Sequence, residues 1–310
     1  MDVAAIELAA LVKDYGDTRA VAGVDLRVEA GRITGFLGPN GAGKTTTLRI
    51  LLDLIRPTSG AARVLGYDCQ RDSLEVRRRC GYLPGDLRLY EGMYAGDFLD
   101  FIGSLRPERR DPVYRRRLLE RLDLDPSRRV RALSKGNRQK LGIVQAMMHR
   151  PELLLLDEPT SGLDPLVQEE VTRLLREAVD DGRSVFFSSH VLSEMERLSE
   201  DVVIIRQGRI VAVEEIARLR ARSVHVLEIT FAESPPRDLF ALPGVQVLRR
   251  DGNTVHVQAR DAIDAVVKAI APHRIIDLRT EQPSLEDIFL AYYSDGIERE
   301  PGREEQLAAS

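Results

Sequence analysis

Hydrophobic residues follow two different spacings along the chain up to about residue 222. Short apolar runs predict strands, and longer runs with apolar positions three or four residues apart predict helices. Strand and helix runs alternate, which indicates an α/β core with a parallel sheet. A turn is expected at residues 13–16. The main predicted strands are residues 5–11, 24–28, 33–37, 61–66, 153–156, 183–189, 202–205 and 209–212.

The spacing becomes mostly helical between about residues 86 and 150, which predicts a helical subdomain carried by the α/β core. Aromatic and methionine residues cluster near its beginning, and two interpretations of them stay open. They form either the subdomain's own core or a groove for a helix of a partner protein. The residues concerned are Tyr90, Met93, Tyr94, Phe98 and Phe101.

A third pattern occupies residues 224–281. Its order is strand, helix, strand, strand, helix, strand, with the first helix predicted at 237–242, and this order is typical of a small ferredoxin-like α+β sandwich. We therefore expect a core domain at 1–222 and an accessory C-terminal domain at 223–293. Residues 294–310 are charged and predicted to be a disordered tail. No catalytic cluster is recognisable in the C-terminal domain, which favours a regulatory or contact role.

Composition argues against several classes of protein, including those that bind nucleic acid or span a membrane. The 310 residues carry a formal net charge of −4, so no global basic field predicts a nucleic-acid partner. The two cysteines, Cys69 and Cys80, have no metal-ligand spacing and do not require a disulfide framework. No apolar run approaches the roughly 20 residues of a membrane span. We expect a soluble cytosolic protein, so that any membrane-spanning part is supplied by another chain.

The most specific motif is a phosphate-binding loop between the strand at 33–37 and a helix. Its glycines let successive backbone N–H groups point inward, and the helix N-terminus adds positive potential. In such loops the lysine, here Lys44, reaches the β- and γ-phosphates, and the hydroxyl of Thr45 binds Mg²⁺. The pattern predicts a nucleotide site made by Gly38, Pro39, Asn40, Gly41, Ala42, Gly43, Lys44, Thr45 and Thr46.

Two carboxylates end the most hydrophobic strand. Four consecutive leucines, 153–156, fit a strand buried on both faces of a parallel sheet, and Asp157 and Glu158 follow directly. Adjacent carboxylates repel each other unless a cation is present, so we expect Mg²⁺ to bridge Asp157 to the nucleotide. Glu158 is then free to position or deprotonate a water. His190 follows a neighbouring strand at the same sheet edge, which favours a γ-phosphate contact.

In this order, the motifs resemble those of the ATP-binding subunit of an ABC transporter, over roughly residues 5–222. Gly38–Thr45 resembles the Walker A loop, Leu153–Glu158 resembles Walker B with its catalytic glutamate, and His190 resembles the switch histidine. The D-loop corresponds to Ser161–Asp164. The resemblance implies that Tyr15, which otherwise suits either base stacking or packing on a sheet edge, stacks on adenine.

The signature motif of the family corresponds to residues 134–137, with Lys135 where the first glycine usually stands. Ser134 is also a good helix N-cap, which alone could explain it. The glutamine that usually follows Tyr82-Leu83-Pro84 is replaced by Gly85, and Asp86 is a weak candidate to replace it at the Mg²⁺. The altered signature and the missing glutamine resemble those of ATPases of ABC-2 type exporters of antibiotics and polyketides. Residues 283–289 resemble the same group.

The resemblance also implies an assembly. Two copies pair head to tail around two ATP molecules, with Ser134 and the Gly136 N–H of one copy on the γ-phosphate held by the other. Asp164 lies at the seam between the copies. A homodimer with a separate transmembrane permease is expected, at the cytoplasmic face of a bacterial cell membrane, without nucleic acid. ATP hydrolysis would drive export of a small molecule such as a drug or antibiotic.

Three other functions match part of the sequence. A GTPase shares the phosphate-binding loop, but the chain has no Asn-Lys-x-Asp guanine-reading motif. A soluble ABC ATPase acting on a non-transport target and a purely regulatory nucleotide-binding module both stay open. The presence of Glu158 and His190 favours turnover over regulation alone.

Overall fold

The computed structural model describes residues 4–106, 111–221, 225–259 and 262–281. The chain divides into two compact units, Met1–Ile216 and Ala217–Ser310. The expected tail at 294–310 and the exporter-like segment at 283–289 lie outside the described residues.

The strands, in chain order, are β1 (Ile6–Tyr15), β2 (Thr18–Val28), β3 (Ile33–Leu37), β4 (Ser59–Val64), β5 (Tyr67–Asp68), β6 (Cys80–Leu83), β7 (Leu153–Asp157), β8 (Ser184–Ser189), β9 (Asp201–Arg206), β10 (Arg209–Glu215), β11 (His225–Phe231), β12 (Val245–Asp251), β13 (Thr254–Ala259) and β14 (Ile275–Glu281). The α-helices are α1 (Lys44–Leu51), α2 (Ser73–Arg79), α3 (Ala95–Ser104), α4 (Pro112–Arg121), α5 (Lys135–Met147), α6 (Pro165–Asp180), α7 (Leu192–Leu198), α8 (Ile216–Ala221) and α9 (Ile263–Ile270).

A six-stranded sheet forms the centre of the first unit, with strand order β10-β9-β3-β8-β7-β6. Its strands are parallel except for β10, which pairs with β9 as an antiparallel hairpin. Every residue of β7 is buried, which confirms the prediction of a leucine strand buried on both faces. Because β3, β7 and β8 run in parallel, the residues that follow them meet at one sheet edge.

An antiparallel sheet of order β2-β1-β4-β5 packs against the central sheet. Their shared core contains Leu11 from β1, Phe36 from β3 and Phe186 from β8, all fully buried. The two phenylalanine rings lie 5.2 Å apart between centroids. This core holds the end of β3, and therefore the loop that follows it, against the β1–β2 hairpin.

The turn predicted at residues 13–16 begins too early, because β1 continues to Tyr15 and the turn consists of Gly16 and Asp17. A bulge explains the error. The pairing register of β1 with β2 shifts between Leu8 and Leu11, and Ala10 has φ of 45°. An extra residue in one strand reverses which side chains face inward, so the alternation that predicts a strand is interrupted.

Three helices, α3 to α5, occupy the segment that was predicted to be helical. Ser134 caps α5, since its hydroxyl accepts a hydrogen bond from the N–H of Asn137 at 3.2 Å. The aromatic cluster is divided: Phe98 is buried, whereas Tyr90, Tyr94 and Phe101 are 58%, 42% and 42% exposed. Within the described residues, no helix combines the length and apolar character needed to cross a membrane.

The second unit contains an antiparallel sheet of order β12-β13-β11-β14. This is the strand order of a ferredoxin-like sandwich, with α9 following β13. The helix predicted at 237–242 is wrong, because residues 237–240 form turns closed by bonds between residues three apart, such as Ala241 N–H to the Asp238 carbonyl. Pro236 and Pro243 flank this short segment and disfavour a continuing helix.

Candidate nucleotide-binding site

The loop between β3 and α1 packs too tightly for side chains at two of its glycines. Gly43 has φ of 110°, and a Cβ atom there would lie 2.5 Å from the Ala20 carbonyl oxygen. A Cβ atom on Gly38 would lie 2.4 Å from the Ile205 carbonyl oxygen. Both contacts are with backbone that cannot move aside, so the loop keeps its curl only with glycine at these positions.

Lys44 begins α1 and folds back over this loop. Its Nζ donates to the carbonyl oxygens of Gly38 at 2.5 Å and Pro39 at 3.2 Å. Burial lowers the pKa of the Lys44 ammonium group, while the charges of Glu158 and Asp157 act in the opposite direction. A phosphate bound at this position would supply the anionic partner that a buried ammonium group needs.

Asp157 connects the end of β7 to the loop. Its Oδ2 accepts a hydrogen bond from the Thr45 hydroxyl at 2.7 Å, and its Oδ1 accepts one from the Ser188 hydroxyl. The side chain is almost completely buried, at 2% exposure. The structure thus brings together the two residues that the sequence proposed as Mg²⁺ ligands.

Glu158 lies at the start of the loop after β7, opposite His190. One Glu158 carboxylate oxygen, Oε1, accepts a hydrogen bond from Nδ1 of His190 at 2.9 Å. The backbone of Glu158 has φ of 49°, which is uncommon for a residue with a side chain. Its N–H donates to both the carbonyl and the hydroxyl of Ser188, at 3.1 and 3.2 Å. The neighbouring strand β8 therefore holds Glu158 in this conformation.

Tyr15 lies at the end of β1, beside the loop. It pairs with Thr18 of β2. Two residues further along β2 is Ala20, whose carbonyl oxygen leaves no room for a Cβ atom at Gly43. The ring is 46% exposed, and Nζ of Lys13 lies 5.0 Å from its centroid. The exposed ring offers a flat surface to a base.

Ser134 and Asp164 both act as helix caps within this chain. The Asp164 carboxylate accepts from the Val167 N–H at 3.1 Å at the start of α6. Both residues are exposed, and Gly136 lies in the first turn of α5 close to the loop that carries Asp164. A cap of this kind leaves helix N–H groups available to an anion from another molecule.

The segment after β6 passes directly over Asp157. A Cβ atom on Gly85 would lie 3.0 Å from Oδ2 and 3.2 Å from Cγ of Asp157. Asp86 pairs instead with Arg88, at 3.2 Å between Nε and Oδ2, and both side chains are strongly exposed. The structure therefore places Gly85 at the carboxylate and Asp86 in a surface ion pair.

Sequence reasoning missed three residues that hold the site. Ser188 bonds to Asp157 and Glu158; its polarity at the end of a fully buried strand was the available signal. Glu194 accepts from the hydroxyls of Thr160 and Ser189, at 2.5 Å each, and so joins the two loops that carry Glu158 and His190. Gln139 donates to the backbone carbonyl oxygens of Glu158 and Pro159, and the spacing of residues in the sequence does not predict this contact.

Comparison with known proteins identifies the family. The family model described as ABC transporter matches residues 21–161. The daunorubicin resistance ATP-binding protein DrrA3 of Streptomyces coeruleorubidus is 35% identical over 296 residues, covering 91% of this chain and 94% of that protein. The chain belongs to the ABC transporter family. As one of its ATP-binding subunits, the protein is an ABC ATPase, and its phosphate-binding loop, Asp157 and Glu158 occupy one edge of the family's α/β core.

A further relative agrees with this assignment, and one solved structure shares the fold. The bacitracin transport ATP-binding protein BcrA of Bacillus licheniformis is 37% identical to the ABC ATPase over 228 residues, covering 72% of this chain and 74% of that protein. The dimeric post-hydrolysis structure of the ATP-binding cassette MJ0796 with ADP and Pi has a TM-score of 0.60 at 23% identity. It covers 68% of this chain and 98% of that one.

Proposed function

We propose that this ABC ATPase powers the export of a small molecule, such as a drug or antibiotic, through a separate membrane-spanning subunit. One observation carries the proposal: Lys44, the Thr45–Asp157 pair and the Glu158–His190 pair converge at a single sheet edge. These are the groups that bind phosphates and activate water. The relatives named for daunorubicin resistance and bacitracin transport support export as the work performed.

In the proposed reaction, the chain positions a water and stabilises charge on the γ-phosphate. Glu158 orients or deprotonates the attacking water, and His190 contacts the γ-phosphate. Lys44 offsets the charge that develops on the phosphoryl oxygens. The ring of Tyr15 stacks on adenine, without reading the hydrogen-bonding groups of the base.

The donor set at the end of β7 fits Mg²⁺. A carboxylate and a hydroxyl lie 2.7 Å apart at Asp157 and Thr45, and both are hard oxygen ligands. The described residues contain no group of three or more His, Cys, Asp or Glu side chains suited to a metal ion. A site with few protein ligands is typical of Mg²⁺, which is commonly bound by one or two side chains together with waters and the substrate phosphates. Mg²⁺ held there would neutralise phosphate charge and orient the γ-phosphate.

The active assembly in this proposal is a head-to-tail homodimer with two ATP molecules. Ser134 and the N–H of Gly136 close on the γ-phosphate held by the other copy. This suits the N-terminus of α5, which offers N–H groups to an anion. Asp164 lies at the seam between the copies. ATP then holds the dimer together, and hydrolysis releases it.

The surface for the permease is proposed to be the exposed aromatic patch of Tyr90, Tyr94 and Phe101. Tyr90 meets Phe101 edge to face, with ring centroids 5.7 Å apart. Exposed aromatic rings suit contact with a helix of a partner. The ABC ATPase would then work at the cytoplasmic face of a bacterial cell membrane, without nucleic acid. The C-terminal unit serves as an accessory contact or regulatory domain.

The test is to purify the full chain together with candidate membrane proteins, beginning with any that a neighbouring gene encodes. We expect ATP turnover to rise when the membrane protein is present and to rise again with the transported drug. Turnover that ignores every membrane protein would instead favour a soluble ABC ATPase with another target. Tight ATP binding without turnover would favour a regulatory module.

A further inference from the structure

The first turns of α5 contact the loop that contains Glu158 in the same chain. Gln139 lies in the second turn of α5 and is half-buried. Its side-chain Nε2 donates to two successive backbone carbonyl oxygens, those of Glu158 at 3.1 Å and Pro159 at 3.0 Å. The two N–H bonds of one side-chain amide are thus directed at the carbonyl oxygens of Glu158 and of the residue that follows it.

Two independent contacts bring the same surfaces together. A Cβ atom on Gly136 would lie 3.1 Å from the carbonyl oxygen of Gly162, and one on Gly162 would lie 3.2 Å from Cε of Lys135. The start of α5 therefore packs against the segment 158–164 at both of its ends. Gln139 is the part of this contact that reaches Glu158 itself.

Glu158 needs such a restraint because its backbone is left-handed, with φ of 49°. Strand β8 holds its N–H through Ser188. The carbonyl oxygen on the other side of the residue accepts from the Ser161 N–H at 3.2 Å, within the same loop, and from Gln139, which ties it to helix α5. With both flanking peptide groups fixed, the direction of the bond from Cα to the side chain is fixed as well.

We infer that Gln139 is a positioning residue for hydrolysis, which aims the Glu158 carboxylate by holding its backbone carbonyl to helix α5. The inference rests on the proposed function, in which Glu158 acts on water. In that function the start of α5 contacts the ATP bound by the other copy, whereas Glu158 acts on the ATP bound by its own copy. Gln139 therefore links the contact with one ATP molecule to the glutamate that acts on the second.

The first experiment compares the full-length wild type with Gln139→Leu, which keeps the approximate shape and removes both donors. We expect kcat for ATP hydrolysis to fall about tenfold, because a small misplacement of a catalytic group is costly. The KM for ATP should change less than twofold, because Gln139 does not lie on the nucleotide-binding loop. An unchanged kcat would overturn the inference, and so would a kcat loss matched by an equal rise in KM.

A second variant separates positioning from folding. Gln139→Glu offers a carboxylate to two carbonyl oxygens when ionised, but it regains one O–H donor when protonated. The ratio of its kcat to that of wild type should therefore rise as the pH is lowered. A ratio that stays flat across pH would indicate a merely structural effect and overturn the inference.

The matched control is Gln168→Leu. Nε2 of Gln168 also donates to two carbonyl oxygens of the same loop, those of Thr160 and Leu163, but not to Glu158. We expect its kcat to stay within about threefold of wild type. Equal losses in both variants would indicate general loop support and overturn the inference. If Glu158→Gln strongly lowers kcat while Gln139→Leu leaves kcat at the wild-type value, only this inference fails, and the proposed function stands.

Discussion

Nδ1 of His190 lies 2.9 Å from Oε1 of Glu158, so the residues after β7 and β8 are already in contact across the sheet edge. Glu194 ties the same two loops together through Thr160 and Ser189. The candidate base and the candidate phosphate ligand therefore form one unit. A change at either residue should alter the position of the other.

Replacing Glu158 by Gln should slow ATP hydrolysis by about a hundredfold or more, since a positioned general base contributes that much. The amide keeps the size of the side chain, and so ATP should still bind and hold two copies together. Phosphate release and the mass of the ATP-bound protein by light scattering measure the two effects.

Glu169→Gln is the matched control for this variant, because Glu169 is an exposed glutamate on α6. It should hydrolyse ATP at the wild-type rate. Near-normal turnover in Glu158→Gln would remove Glu158 from the role of base. A Glu158→Gln protein that stays monomeric in saturating ATP would contradict the ATP-held dimer.

Replacing Lys44 by Ala should weaken ATP binding about ten- to hundredfold, because charge-assisted hydrogen bonds to phosphate are lost. Isothermal titration calorimetry with ATP measures the effect. Lys268→Ala is the control, since Lys268 pairs with Asp264 on the surface of the C-terminal unit. An unaltered affinity in Lys44→Ala would contradict the assignment of the phosphate-binding loop.

The central sheet was predictable because its strands carry strong local signals. The run 153–156 is uniformly apolar, which suits a strand covered on both faces, and β7 is buried throughout. The phosphate-binding loop has a specific spacing between a strand and a helix. The end of β1 escaped prediction because the bulge at Ala10 breaks the alternation on which strand prediction depends.

The contacts that support the site were less predictable for a different reason. Gln139 and Glu194 act on residues 19 and 34 positions away, and the Gln139 partners are backbone carbonyls. Such contacts depend on how α5 and α7 pack against the sheet. Hydrophobic spacing predicts that a helix packs, but it does not specify which polar side chain meets a given carbonyl.

Both cysteines should resist thiol reagents in the folded protein. Burial raises the pKa of Cys69 to about 12, and burial raises that of Cys80 further. Reagents attack the thiolate, so at pH 8 labelling should be slow and should accelerate as the pH rises toward 12. Denaturant should expose both thiols at once. The control is a Glu169→Cys variant, which adds an exposed thiol. This thiol should react rapidly at pH 8, before the two buried cysteines do.

Gly85 should be required at its position, even though the family usually has glutamine there. A Cβ atom at Gly85 would meet Oδ2 of Asp157 at 3.0 Å, and Asp157 is buried and bonded to Thr45 and Ser188. Even a small retreat of the carboxylate would lengthen its hydrogen bonds to Thr45 and Ser188. We expect Gly85→Ala and Gly85→Gln to lower kcat about tenfold and to raise the Mg²⁺ concentration needed for half-maximal turnover.

The control for both Gly85 variants is Gly92→Ala, since Gly92 lies in the same connection between β6 and α3. A Cβ atom there meets nothing within 4 Å. This variant should match the wild type in kcat and in Mg²⁺ dependence. If Gly85→Gln were as active as the wild type, or more active, then Asp157 must have room to shift. The close approach of Gly85 would then not be what excludes the glutamine from this chain.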